Sequence, residues 1–239
     1  MSKFIIEKPV WDLFPELSVG IVVAKGVDNS DAKEEELKAE LAAALEAANE
    51  EAKKHLTSDV ISENEVVAVW RKAYQQFKTK KGVRCSIEAL LKRASKGNAV
   101  SNINPLVDIY NVISLKYALP CGGEDMDKFV GDLRLTQTVD GGDEFLALGD
   151  AENDNTLPGE VCYLDDAGAV CRCFNWRDGI RTMLTENTTN AFLIIECVDP
   201  NRKDVMETAI ADLAEQIQTK LGGNVATSVL TKENPEVEL

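Results

Sequence analysis

The side chains best suited to chemistry lie close together in the stretch CRCFNWRDGIRT, residues 171–182. It combines two cysteines, a tryptophan, arginines and an aspartate where strand-forming residues give way to turn residues, which predicts a strand end followed by a turn. Arg177 and Arg181 could bind a carboxylate, a phosphate or a developing oxyanion, and Asp178 could hold an ammonium group or orient a water molecule. Asn175 could add a hydrogen bond, and Trp176 an apolar wall. A surface turn with an ion pair between Arg177 and Asp178 explains the same residues.

A second polar set lies on the predicted helix NPLVDIYNVISLKYAL, which opens with Asn104 as N-cap and Pro105 at its first position. Asn104, Asp108 and Asn111 fall at i, i+4 and i+7 and form a stripe separate from the apolar face. Exposed helix positions more often carry Glu and Lys than Asp and Asn, which are poor helix formers. The stripe therefore predicts the wall of a polar pocket that faces the 171–182 turn, although a solvated stripe would also fit.

The elements that position these residues indicate one α+β domain over 1–239, with mixed sheets packed against helices. A buried strand, SVGIVVAKGV, precedes a long amphipathic helix that starts after Ser30, and three further helices begin near 63, at Ser86 as N-cap and at Asn104. A Gly-Gly turn in PCGGEDMDK leads to the strand-like runs GDLRLTQT, EFLALG, EVCYLDD, AVCRCFN and AFLIIECV. A last helix over 202–221, a closing strand VATSVL and a frayed tail complete the chain.

The charge balance limits the kinds of partner. The formal net charge is −15 and the pI is about 4.6. These values argue against a protein that binds nucleic acid through bulk electrostatics, and no DNA partner is expected. The segment KTKKGVRC carries one basic cluster, which could meet an RNA backbone locally or could be a solvated loop. Its residues are Lys78, Lys80, Lys81 and Arg84.

Several kinds of site lack the residues they need. His55 is the only histidine, and its place near a helix C-terminus favours a structural role. Cys171 and Cys173 have no partners at zinc-binding spacing, so neither a metal nor a cofactor is expected. No phosphate-binding loop, dinucleotide fingerprint or serine nucleophile elbow occurs. No segment is apolar over the length of a membrane span and no signal peptide is evident, so we expect no membrane partner and a cytoplasmic protein.

Two long segments resemble a known family. INPLVDIYNVISLKYALPCGGEDMDK and GEVCYLDDAGAVCRCFNWRDGIRTMLTENTTNAFLIIE are similar to the editing domain of the phenylalanyl-tRNA synthetase beta subunit, and more closely to free-standing proteins made of that domain. The family's VVDVTNYV helix, Pro-containing turn, Gly-rich turn and DETTN segment look like residues 106–112, 120–123, 173–179 and 186–195. The resemblance covers about residues 65–200, which divides the chain into 1–64, 65–200 and 201–239.

The resemblance implies a pocket that hydrolyses the ester between a wrong amino acid and its tRNA, by attack of a positioned water. On this basis we expect catalysis from Asp108, Asp178 and Arg177, and tRNA contact from the basic cluster. The residues expected to bind the substrate are Asn104, Asn111, Gly122, Gly123, Asn175, Trp176 and Arg181. The chain departs from the family at two places. The synthetase has a histidine where this chain has Gly122, and it has a Gly-Gly-Glu turn where this chain has residues 176–179. The alternative is a noncatalytic module that binds an amino acid or a related metabolite.

Overall fold

The core lies between two β-sheets. In the computed structural model, which describes residues 2–30 and 35–239, a six-stranded mixed sheet has the order β10-β1-β4-β5-β6-β7, and a four-stranded antiparallel sheet has the order β3-β8-β2-β9. The strands are β1 Lys3–Ile6, β2 Ser18–Lys25, β3 Cys121–Asp125, β4 Leu133–Gln137, β5 Val161–Asp165, β6 Gly168–Arg172, β7 Arg177–Asp178, β8 Asn190–Cys197, β9 Asn224–Leu230 and β10 Glu236–Glu238.

Helices pack on both faces of the four-stranded sheet. They are α1 Lys8–Leu13, α2 Glu35–Glu51, α3 Glu65–Ala73, α4 Ser86–Ser95, α5 Pro105–Tyr117 and α6 Lys203–Leu221. Side chains of α1, α3 and α4 join the apolar cluster between the two sheets, whereas α5 and α6 pack on the opposite face of the four-stranded sheet. The predicted α+β class, with sheets packed against helices, is confirmed.

The alternation of side chains along β8 divides the two apolar clusters. Phe192 and Ile194 belong to the cluster between the sheets, whereas Leu193 and Ile195 belong to the cluster under α5 and α6. Successive strand residues point to opposite faces, so a strand buried on both faces needs a continuous apolar run. Gly20 of β2 is required for the packing of α6, because a Cβ there would collide with Ile210.

Several predicted elements differ from the structure. PCGGEDMDK contains β3 rather than a turn, because pairing with β8 extends the two glycines. EFLALG forms no strand and contributes only an isolated bridge between Ala147 and Gly179. The expected frayed tail forms β10, which pairs with β1. The N-cap of α4 is Cys85 rather than Ser86, and its side chain makes no capping hydrogen bond.

The first sixty residues belong to both sheets. β1 lies between β4 and β10, and β2 lies between β8 and β9, so the N-terminal segment builds the core that the later strands complete. The predicted long helix is present as α2, followed by a 3₁₀ turn at Ala52–His55. Its predicted first residues, 31–34, lie outside the described residues. The division of the chain at 64 and 200 stays a prediction.

Candidate functional site

A cavity opens between the two sheets, where the edge strand β3 approaches the hairpin formed by β6 and β7. Its volume is about 60 Å³, and since a water molecule needs roughly 10–15 Å³, it has room for a few water-sized groups. We call it the inter-sheet cavity. It is lined by Ser86, Cys121, Gly122, Gly123, Glu124, Leu133, Tyr163, Val170, Cys171, Asn175, Trp176, Asp178, Phe192, Ile194 and Glu196.

The register of β3 against β8 selects which side chains reach the cavity. Gly122 lies opposite Ile194 and Glu124 lies opposite Phe192. Alternate residues of a strand share a face, so these four side-chain positions and that of Glu196 all face the inter-sheet cavity. Gly122 leaves open space there, because a Cβ would find only the Ile194 side chain, at 3.9 Å.

A hydrogen-bonded set holds Glu196 on the cavity wall. The Tyr163 hydroxyl donates to Glu196 Oε1 at 2.6 Å, and Asn175 Nδ2 donates to Oε2 at 3.3 Å. Asn175 Oδ1 accepts from the Tyr74 hydroxyl at 3.0 Å and from the Ser86 amide at 3.3 Å. Both functional ends of the Asn175 amide are thus used, which fixes its orientation.

Asn175 reaches this position through an unusual backbone turn. Cys173 and Phe174 have φ values of 46° and 65°, a left-handed conformation that residues other than glycine adopt rarely and at a cost. The turn is held because the Phe174 amide donates to the Val161 carbonyl at 2.7 Å, and the Phe174 ring packs against Trp70. The packed aromatic core therefore imposes the turn that presents Asn175 and Trp176 to the cavity.

Three carboxyls line the inter-sheet cavity, and burial raises the pKa of each. The pKa of Glu196 rises to about 8, chiefly through burial. Burial raises the pKa of Glu124 well above its ordinary value, and the negative charge of Asp178 adds to the shift. Burial also raises the pKa of Asp178, although the residue as a whole is only half-buried. At neutral pH the Glu196 carboxyl is therefore largely protonated, and its pKa suits proton transfer near pH 7.

The cavity brings together five of the predicted site residues, namely Gly122, Gly123, Asn175, Trp176 and Asp178. It does not include Arg177 or Arg181. Arg177 forms an ion pair with Asp150 at 2.8 Å, and its guanidinium lies 5.9 Å from the Trp176 ring centroid. Arg181 binds the buried Asp165 carboxylate with both terminal nitrogens, at 2.7 and 2.8 Å. Both arginines therefore have carboxylate partners and lie outside the lining of the inter-sheet cavity, and their predicted binding roles stay predictions.

The polar stripe of α5 also lies outside the lining of the inter-sheet cavity. The Asn104 side chain caps α5 by accepting from the Val107 amide at 3.2 Å. Asp108 accepts from the Ile103 amide and from Asn102 Nδ2, both at 2.8 Å. Asn111 is buried but does not line the inter-sheet cavity. Local hydrogen bonds to the backbone account for the short polar side chains of Asn104 and Asp108, which also line a separate small pocket.

The basic cluster lies beside the cavity. Tyr74 and Ser86, at the two ends of the segment 75–85, both bond to Asn175, so this segment is anchored to the cavity wall. Lys78 and Lys81 are exposed. Lys80 pairs with Asp154 at 2.5 Å, and Arg84 lies 3.4 Å from Glu88, so two of the four predicted contact residues share their charge with protein carboxylates.

Glu124, Tyr163 and Glu196 are site residues that the sequence analysis missed. The signal in the sequence was a single acid within an otherwise apolar strand, as in AFLIIECV, because an acid buried in a strand is rare without a special role. Burial raises the pKa of Tyr110 of α5, and the negative charges of Asp178 and Glu124 add to the shift.

Arg172 is the arginine of the opening stretch that the fold buries. It is fully buried and donates to both oxygens of Glu160, at 2.9 and 2.6 Å, while Nη1 lies 2.9 Å from Asp154 Oδ2. Glu160 also accepts from the Cys173 amide at 3.0 Å. This ion pair holds the strained turn from beneath and has a structural role.

In 2–30 and 35–239, no three His, Cys, Asp or Glu side chains are placed to hold a metal ion together. No helix in this part of the chain has the length and apolar character needed to cross a membrane.

Comparison with known proteins identifies the family. Residues 69–220 match the B3/4 domain, and since this match spans more than half of the chain, the protein belongs to the B3/4 domain family. It is 32% identical over 117 residues to the phenylalanine–tRNA ligase beta subunit of Mycoplasmoides gallisepticum (strain R(low / passage 15 / clone 2)). The match covers 47% of this chain and only 13% of that subunit. The resemblance to the beta subunit is confirmed.

A solved structure is also similar to the chain. It is the crystal structure of an N-terminal fragment of the phenylalanyl-tRNA synthetase beta-subunit from Pyrococcus horikoshii, with a TM-score of 0.44 and 13% sequence identity. The likeness covers 93% of this chain and 49% of that fragment. The chain thus spans less than half the length of either relative.

Proposed function

We propose that this protein is a hydrolase that removes a wrong amino acid from tRNA, and that the inter-sheet cavity holds the aminoacyl ester. The observation that carries the proposal is the hydrogen-bonded set of Glu196, Asn175 and Tyr163 on the wall of this cavity. Membership in the B3/4 family and similarity to a tRNA ligase subunit support tRNA as the carrier of the ester.

The chemistry needs a water molecule, a proton acceptor and a positioned ester. As the water oxygen bonds to the ester carbonyl carbon, Glu196 in its ionised form takes the water proton. When the tetrahedral intermediate collapses, the bond to the ribose oxygen breaks and Glu196 returns the proton to that oxygen. A pKa of about 8 keeps both forms of Glu196 accessible near neutral pH, as a group that first accepts and then donates a proton requires. Tyr163 and Asn175 orient its carboxyl.

The segment that carries the basic cluster supplies the contact with tRNA in this proposal. Its two ends are anchored to the cavity wall through Asn175, so exposed Lys78 and Lys81 lie where the backbone that leads to the acylated ribose could pass. Few cations are involved, and the contact is therefore local and weak.

The direct test is release of labelled amino acids from a panel of mischarged tRNAs. We expect hydrolysis of at least one ester, and we expect Glu196→Gln to lower kcat by roughly 10²- to 10⁴-fold, the usual contribution of general acid–base catalysis. Glu46→Gln, at an exposed position of α2, is the matched control and should retain full activity. Binding of amino acids without hydrolysis of any ester would contradict the proposal and favour the noncatalytic module.

A further inference from the structure

The carboxyl groups on the wall of the inter-sheet cavity have no basic side chain beside them in the described lining of the cavity. Glu124, Asp178 and Glu196 contribute carboxyls, while the described residues that line the cavity include no lysine, arginine or histidine. The nearby arginines are held elsewhere, since Arg172 pairs with Glu160 and Arg181 with Asp165. A ligand that enters this space therefore meets carboxyls that have no cationic partner on the cavity wall.

One oxygen of the Glu124 carboxyl, on the wall of this cavity, is without a hydrogen-bond donor among the described residues. The residue is only 5% exposed, and its Oε2 atom has no hydrogen bond within the described part of the chain. A buried carboxyl oxygen without a donor costs free energy that a bound donor recovers. The Ser86 hydroxyl, also on the cavity wall, is likewise unpaired among the described residues.

Aromatic side chains complete the surroundings. Trp176, Tyr163 and Phe192 line the same cavity, and the faces of aromatic rings attract cations. Carboxyls beside aromatic side chains, in a space of about 60 Å³, match a small organic cation better than an anion or a purely apolar group.

We propose that the inter-sheet cavity is a binding site for a primary ammonium group, held between Glu124 and Asp178, and that the proposed aminoacyl substrate must therefore carry a free α-amino group. The identification of this ammonium group as that of an aminoacyl substrate rests on the proposed function. The binding of an ammonium group in the cavity does not. Burial raises the pKa of both carboxyls, and the positive charge of a bound ammonium group would favour their ionised forms.

The binding test uses two small probes of the same shape. Alaninol carries an ammonium group where 1,2-propanediol carries a hydroxyl, and neither has an ester to be hydrolysed. Titration followed by ¹H–¹⁵N NMR should move the amide signals of Gly122 and Gly123 with alaninol and leave them in place with 1,2-propanediol. Glu124→Gln should weaken alaninol binding at least tenfold, whereas Glu46→Gln should not change it. The Glu124→Gln spectrum with no probe checks that the variant is folded.

Three results would overturn the inference. Equal binding of the two probes would show that the cavity takes any hydrogen-bond donor, and binding of Mg²⁺ at Gly122 and Gly123 in competition with alaninol would show a metal site. Failure of alaninol to bind the wild-type protein would exclude an ammonium site.

A tRNA assay separates this inference from the proposed function. N-acetylation of the mischarged aminoacyl-tRNA removes the ammonium group and should abolish hydrolysis. Hydrolysis that is unchanged by N-acetylation would contradict the ammonium site but leave the deacylase intact. Alaninol binding in a protein that hydrolyses no ester would support the site and contradict the deacylase.

Discussion

At the scale of single residues, the pKa of Glu196 links the candidate site to stability. The Glu196 side chain is almost fully buried and its pKa is about 8, above the ordinary value of 4.5. Between these two pH values the folded state holds a proton that the unfolded state releases. Stability therefore falls as pH rises through this window, by about 1.4 kcal/mol per pH unit at most for one such carboxyl.

Replacing Glu196 with Gln removes this titration. The free energy of unfolding of Glu196→Gln should fall less steeply with pH between about 5 and 8 than that of the wild type, by roughly 1 kcal/mol per unit. Urea unfolding at four pH values in that range measures the difference in slope, which is independent of any hydrogen bond lost in the variant. Parallel pH profiles would mean that Glu196 is ionised in the folded protein throughout.

The two neighbouring glycines of β3 should respond differently to alanine. Gly122→Ala should leave stability nearly unchanged, since the nearest atom to its Cβ is 3.9 Å away, but the methyl group should occupy the cavity and lower ester hydrolysis. Gly123→Ala should cost about 1–3 kcal/mol through overpacking, because its Cβ would lie 2.9 Å from Leu184 Cδ1. Thermal melts and the hydrolysis assay on both variants check this. Full activity in Gly122→Ala would place the substrate elsewhere.

At the scale of elements, the β6–β7 hairpin depends on a buried ion pair. Removal of Arg172 leaves Glu160 buried without its cation, a change that typically costs about 3–5 kcal/mol. Removal of Arg177 breaks an ion pair between partly exposed groups, which is worth about 0–1 kcal/mol. Arg172→Ala should therefore destabilise the protein far more than Arg177→Ala in chemical denaturation, and similar losses from both would show that the hairpin does not rely on the pair.

The same hairpin explains why residues 171–182 include so many charged and aromatic side chains. Arg172 lies beneath the turn, whereas Asn175, Trp176 and Asp178 line the cavity above it. Residues only a few positions apart can thus have different roles. Arg172 stabilises the turn, whereas three of the side chains that follow it line the cavity.

At the scale of the whole molecule, the net charge of −15 governs any association with tRNA. Binding should be weak and should decrease with salt, because each phosphate neutralised on a single strand changes the slope of log K against log salt by about 0.7. Replacing Lys78 and Lys81 together with Ala should reduce this slope by about 1.4 if each meets one phosphate. Fluorescence titrations across a salt series measure it. Lys38→Ala on α2 is the control, and an unchanged slope in the double variant would place the RNA contact elsewhere.

Local patterns predicted most of the elements. The apolar run of β2 and the Asn104 cap with Pro105 of α5 depend on neighbouring residues only, and the structure confirms both. β3 and β10 were missed because each becomes a strand by pairing with a partner distant in the chain, β8 and β1 respectively. The Gly-Gly pair of β3 has no strand propensity of its own.

For the candidate site, the sequence determined the family and the turn that carries Asn175 and Trp176. Only the tertiary structure decided that Glu124, Tyr163 and Glu196 meet there, because they come from three strands in two different sheets. It also decided the direction of Arg177, Arg181 and Asp108, whose partners include carboxylates, backbone groups and the Asn102 side chain. A side chain's type shows what it can bind, whereas its partner depends on which segments the fold brings within hydrogen-bonding distance.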